Sequence, residues 1–152
     1  MVKYLKSCLS QEQAQSRFAA FAQTKDNLSY NYFLKLHKGE SYEGSGTITF
    51  ELAKTIPNFV IDFAGASLIE LVINGQKVES NDNYDSLRDK RNLHFPESHL
   101  KVGTNTVSIK FKNDYANDGC GLHSFVDTDN KQYIYSDCEP YHCNKIFPVF
   151  DQ

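Results

Sequence analysis

From Leu28 onward the chain is written mostly in twos. Leu28, Tyr30, Tyr32, Leu34 and Leu36 alternate with largely polar neighbours, the period of a half-buried strand. Lys38-Gly39-Glu40 makes a turn, and Gly46 to Leu52 alternates again. Phe59, Ile61 and Phe63 share one face of a further strand, and Ile69, Leu71 and Ile73 share a face of the next. That last run meets Asn74-Gly75, a strong hairpin signal, with Gln76 to Glu79 as its return strand. Ser80 to Arg91 reads as a polar loop, and Asn92 to Phe95 as a brief strand stopped by Pro96. Val107, Ile109 and Phe111 follow a turn at Gly103. Leu122–Val126 and Gln132–Tyr135 form a last hairpin around Asp127-Thr128-Asp129-Asn130.

Only the N-terminal stretch departs from this period. Ser10 and Gln13 have the spacing of a capping box. Ala14, Phe18, Phe21 and Ala22 recur at helical intervals behind them, predicting a short amphipathic helix over 11–23. One helix and eight or nine short strands predict a mainly β fold, a sandwich or strongly twisted sheet. The expected layout is a single domain over 1–152: an N-terminal helix within 10–23, strands over 28–136, and a C-terminal motif over 137–152.

Composition changes this picture little. The chain has 152 residues, sixteen basic and nineteen acidic side chains, and a net charge of −3. That balance lacks the basic footprint of a nucleic-acid binder. No apolar run is long enough for a membrane span, and the start, Met1 to Ser10, is too polar for a secretory signal. A cytoplasmic protein is expected, so Cys8, Cys120, Cys138 and Cys143 are read as free thiols.

Candidate chemistry is sparse. The histidines are His37, His94, His99, His123 and His142, and none opens a His-Glu-x-x-His helix. There is no Gly-x-Ser-x-Gly elbow and no phosphate-binding glycine loop. Cys138, Glu139, His142 and Cys143 are the densest group of ligand types, with Cys120 and His123 as possible neighbours. Their spacing fits a zinc site poorly, and packing around a turn is the plainer reading. A Cys143–His123 nucleophile pair has no support in the spacing. The stripe Tyr30, Tyr32, Leu34, Leu36 can line a groove but at strand spacing belongs to the core. Lys110, Lys112, Asp114 and Asp118 read as a solvated face.

Two C-terminal runs are more specific. Gly121-Leu122-His123-Ser124-Phe125-Val126-Asp127, and Tyr135 through Asp137-Cys138-Glu139-Pro140 to Phe147-Pro148-Val149-Phe150-Asp151-Gln152, resemble the N-terminal domain of the aminopeptidase N family of zinc metallopeptidases. Ser10 to Arg17, Val72 to Val78 and the L-x-x-G-x-N turn from Leu100 to Val107 resemble the same domain, so the likeness covers nearly the whole chain. It implies a saddle-shaped β-sandwich that stands before a thermolysin-like catalytic domain. It also implies a role for Glu139, whose counterpart binds the free α-amino group of the substrate. A carboxylate desolvated in a cleft pairs well with an ammonium. Beside that role stands a plainer one, capping the turn before Pro140.

The departures carry weight too. The family's Gly-x-Met-Glu-Asn motif is absent, since the only methionine is Met1. The family's zinc ligands have no counterpart here, so no cofactor is expected for this chain and zinc only in full-length relatives. Family members continue beyond Phe-Asp-Gln with further strands. The sequence thus predicts an incomplete sheet, with Phe147, Val149 and Phe150 uncovered and a protein partner over residues 143–152. Two readings follow. One is a non-catalytic structural or protein-binding module in a larger assembly. The other is the N-terminal piece of a zinc aminopeptidase that removes N-terminal residues from peptides.

Overall fold

A computed structural model describes residues 9–65, 67–80, 84–89 and 91–151. Cys8 and Gln152 lie outside them, as do residues 81–83 and 90 of the polar loop. In chain order the elements are helix α1 (Gln11–Phe18), then strands β1 (Leu28–Leu36), β2 (Ser41–Leu52), β3 (Val60–Asp62), β4 (Ser67–Ile73) and β5 (Gln76–Lys77). Strands β6 (Asn92–His94), β7 (Gly103–Asp114), β8 (Gly121–Val126) and β9 (Gln132–Asp137) follow, with short 3₁₀ turns at Asp85–Leu87, Glu97–His99 and Cys143–Lys145.

Five strands form an antiparallel sheet in the order β1-β2-β7-β4-β5. The β3–β6 pair forms the second layer of a β-sandwich, and β8–β9 is a separate hairpin. The alternation in β2 and β7 puts Ile48, Phe50, Leu52, Val107, Ile109 and Phe111 into the core, all of them buried. They meet the second layer through aromatic contacts. Phe50 stacks on Phe59 with ring centres 5.5 Å apart, and Phe63 meets Phe111 edge-on at 5.0 Å. The Asn74-Gly75 turn forms as read, with φ of +52° and +79°, the left-handed pair a type I′ hairpin requires.

Two expectations about facing are corrected. In β4 the register slips between Leu68 and Glu70, so Ile69 is the extra residue of a bulge and is 58% exposed. Leu68, Leu71 and Ile73 point inward instead. The helix is shorter than 11–23, ending at Phe18 with Ala19 as its cap. The chain then leaves the helix to bond with the end of β2, where Ala22 N–H donates to Glu51 O and Ala53 N–H to Ala20 O. This turns Phe18 outward, 67% exposed, and puts Arg17 inside at 2%. The capping box itself holds: Gln13 N–H donates to Ser10 Oγ, and Ser10 N–H to Gln13 Oε1.

Arg17 is buried because it has partners. Its guanidinium lies 2.8 Å from Asp62 Oδ2, donates to the Val60 carbonyl and sits over the Phe150 ring. Asp62 Oδ2 also accepts the Asp151 N–H. Removing one member of such a buried pair leaves an uncompensated charge.

The C-terminal residues are where the structure departs most from expectation. Phe147, Val149 and Phe150 are half-buried, and Phe147 and Phe150 pack against the chain's own core. Phe147 stacks on Tyr32 at 5.0 Å, and Phe150 meets Phe21 and Phe50 edge-on at 5.0 and 5.4 Å. Val149 and Asp62 exchange both backbone hydrogen bonds at 3.0 Å, so the segment adds a bridge to β3. Three tyrosine hydroxyls hold it at alternate residues. Tyr42 donates to Ile146 O at 2.8 Å, Tyr32 donates to Pro148 O at 2.6 Å, and Tyr30 accepts the Phe150 N–H at 2.9 Å. The Tyr32 ring lies across Gly46, its cross-strand partner, where an added Cβ would meet the ring at 2.1 Å. Burial pushes the Tyr30 phenol up to about 12 and raises those of Tyr32 and Tyr42 further. The sequence pattern missed this closure because the three tyrosine hydroxyls grip backbone groups of the segment, the Ile146 and Pro148 carbonyls and the Phe150 N–H, which leave no mark in the sequence.

Candidate functional site

The candidate site is built on the β8–β9 hairpin and the turn after it. The hairpin is tied to its surroundings by polar contacts. Ser124 N–H donates to Ala116 O and Ala116 N–H to Leu122 O, while Gln132 bonds both the N–H and the carbonyl of Gly39. One face carries His123, Phe125, Tyr133 and Tyr135. Phe125 stacks on Tyr133 at 5.6 Å, and His123 meets Tyr135 at 4.8 Å. Phe125, Tyr133 and Tyr135 are all exposed. His123 Nδ1 accepts the Gly119 N–H, which places its ring proton on Nε2.

After β9 the chain turns sharply. Asp137 Oδ1 accepts the Glu139 N–H at 3.0 Å, an Asx turn, and the Glu139–Pro140 peptide is cis. His142 N–H donates to Cys138 O at 2.8 Å and closes the loop. Asn144 anchors the far side, donating to Tyr141 O and Asp151 Oδ2, both at 2.9 Å. Asn144 O in turn accepts the Ala64 N–H. Lys145 pairs with Asp118 at 2.9 Å, and that hydrogen bond holds the Asp118 carboxyl below its ordinary value. Glu139 is exposed on this braced turn. It is Asp137, rather than Glu139, whose side chain caps the turn.

The other candidates are dispersed. Cys143 interacts with Cys138 and Asp151, whereas His123 contacts Gly119, Phe125 and Tyr135, so the structure does not pair Cys143 with His123. His142 stacks edge-on against Tyr141, with Nδ1 buried and without a hydrogen-bond partner. Among the described residues no three of His, Cys, Asp and Glu gather as metal ligands. Zinc, which the resemblance implies for full-length relatives, has no fitting ligand set among the described residues. Lys110 and Lys112 do lie on the solvated face, Lys110 paired with Glu70 at 2.7 Å. A cavity of about 570 Å³ between Lys38, Tyr115, Phe125 and Gln132 does not include Glu139. No helix among the described residues is long and apolar enough to cross a membrane.

Sequence reading did not find two features of this region. The clamp of Arg17 and Asp62 on Asp151 joins residues far apart in the chain, and the contact of Cys138 with Cys143 depends on how the turn closes.

Known proteins resolve what kind of domain this is. Residues 26–152 match the family model of the peptidase M1 N-terminal domain. Aminopeptidase N of Streptomyces lividans is 30% identical over 148 residues, covering 95% of this chain and 16% of that protein. Leucine aminopeptidase 2 of Candida albicans is 23% identical over 136 residues, covering 82% of this chain and 21% of that protein. The chain thus spans about a fifth or less of the length of these relatives. The match to the family model across the sandwich, the hairpin and the Glu139 turn places the chain in the M1 peptidase family, as its N-terminal domain.

Proposed function

We propose that this chain is a non-catalytic β-module, one domain over residues 1–152, that serves a structural or protein-binding role in a larger cytoplasmic assembly. The observation that carries the proposal is the setting of Glu139. Its carboxylate stands in solvent on a braced turn. An exposed carboxylate gains little from pairing with an ammonium in water, so the additional hydrogen bonds and walls of any amine-binding cleft have to come from another protein surface. In that setting Glu139 receives the α-ammonium of a peptide. The aromatic face of the β8–β9 hairpin, which leads directly into the turn, is the surface offered to that partner. Residues 144–150 are already occupied by contacts with their own core.

The test is hydrolysis of aminoacyl-arylamides by the 152-residue chain with and without added zinc. No turnover is expected, and zinc-dependent turnover refutes the proposal.

A second reading is the N-terminal piece of a zinc aminopeptidase that removes N-terminal residues from peptides. It is favoured by a similarity that runs along 95% of this chain but only 16% of the Streptomyces protein. The intact mass of the native protein separates the two. A value near 17.3 kDa favours the module, and one several-fold larger favours the peptidase.

A further inference from the structure

Strand β1 is one edge of the five-stranded sheet. Its register with β2 is unbroken over all nine residues, from Leu28 against Phe50 to Leu36 against Tyr42. Proteins blunt an open edge with proline, bulges or several charges. This strand has no proline, no bulge and one charge, Lys35. Backbone groups alternate sides along a strand. Glu51 N–H donates to Asn27 O, a pair that continues the same register, so the odd-numbered residues bond β2. Leu28, Tyr30, Tyr32, Leu34 and Leu36 therefore hold their N–H and C=O toward the open side. No group among the described residues bonds them there. Apolar side chains are uncovered along the same edge, Phe33 on the outer face and Tyr30 and Leu36 on the inner one.

We propose that β1 pairs with β1 of a second copy of this chain, antiparallel about a twofold axis through Tyr32, so that the two sheets become one. An isologous contact must be complementary to itself, and this edge is. The open backbone groups sit on even-numbered residues. Tyr32 therefore faces Tyr32, Tyr30 faces Leu34 and Leu28 faces Leu36 of the second copy, with about ten backbone hydrogen bonds in all. Each of these pairs sets apolar against apolar. On the outer face Phe33 lies opposite Asn31 and Lys35 opposite Ser29, so no like charges meet. The turns at the two ends complement each other. Asp26 comes against Lys38 of the second copy, and Lys25 comes beside its Glu40. All four are exposed and have no ion-pair partner among the described residues. Sliding the register by two residues shortens the ladder, and in one direction it sets Asp26 against Glu40.

The test is sedimentation equilibrium of the whole chain from micromolar to millimolar concentration. The mean mass is expected to rise from 17.3 kDa toward twice that value. Asn31→Lys combined with Phe33→Lys sets like charges directly opposite across the axis, twice by symmetry, and is expected to weaken self-association about tenfold. Asn31→Glu combined with Phe33→Lys sets opposite charges at the same places and is expected to restore it. Both residues are exposed, so melts of the dilute variants should stay close to wild type. Phe125→Ser, on the β8–β9 hairpin, is expected to leave self-association unchanged. A mass that stays at one chain throughout the range overturns the proposal. Equal weakening by the two double variants overturns the register. Loss of association in Phe125→Ser, with the Lys–Lys variant still associating, overturns the choice of edge.

Discussion

Strand β7 and the β8–β9 hairpin obey the same two-residue rhythm and end in opposite environments. Val107, Ile109 and Phe111 are sealed between two layers, while Phe125, Tyr133 and Tyr135 stand in a row facing water. The difference lies in what each ladder is laid against. Strand β7 is paired on both sides, by β2 and β4, and covered by β3, β6 and the C-terminal segment. The hairpin strands form a two-stranded sheet of their own, tied down by a bridge from His123 to Ala116 and by the Gln132 amide. Alternation reports a pleated ribbon; burial requires a second surface.

This contrast can be broken from several directions. The largest effect is expected from Phe50→Ala, which removes a ring that touches Phe21, Phe59, Phe95 and Phe150. About 3–5 kcal/mol should be lost in a denaturant melt. Asp62→Ala should cost about 3 kcal/mol, because Arg17 is left charged and buried. Exchanging both residues for apolar ones of similar volume should cost less.

Tyr32→Phe should cost about 1 kcal/mol, the value of one hydrogen bond. It also sharpens the comparison through pH. The Tyr30, Tyr32 and Tyr42 phenols are raised by burial. Their contribution is therefore complete below the unfolded phenol value of about 10 and fades as pH climbs past it. Wild-type melts should weaken on that alkaline side, and Tyr32→Phe should show a shallower decline. On the hairpin, Phe125→Ser should stay within about 0.5 kcal/mol of wild type. A larger loss there would show that the aromatic row supports the fold.

The smallest effect is expected from Asp118→Asn, a few tenths of a kcal/mol for an exposed pair with Lys145. Because the Asp118 carboxyl is lowered in the fold, that contribution is present above the unfolded carboxylate value and disappears as the solution is acidified through the folded one.

The same contrast explains what the sequence could disclose. Strand positions, the Asn74-Gly75 hairpin and the Ser10–Gln13 cap were legible because each is a local signal with a local cause. Facing was less so. A bulge of one residue turned Ile69 outward, and a distant carboxylate drew Arg17 inward in place of Phe18. The closure by residues 146–150 left little trace, since Ile146 and Pro148 are gripped by their carbonyls. Of the candidate site, Glu139 was reached by family likeness alone. The approach of Cys138 to Cys143 needed the folded turn.

The three tyrosine hydroxyls have one more consequence. Set against residues 146, 148 and 150, they act as a ruler with marks two residues apart. A ruler of that kind is indifferent to which side chains it measures and intolerant of a change in length. Swapping Val149 for another branched residue leaves every mark aligned. Deleting a single residue from this stretch moves the later marks out of step with the earlier ones and turns the next ring away from its seat.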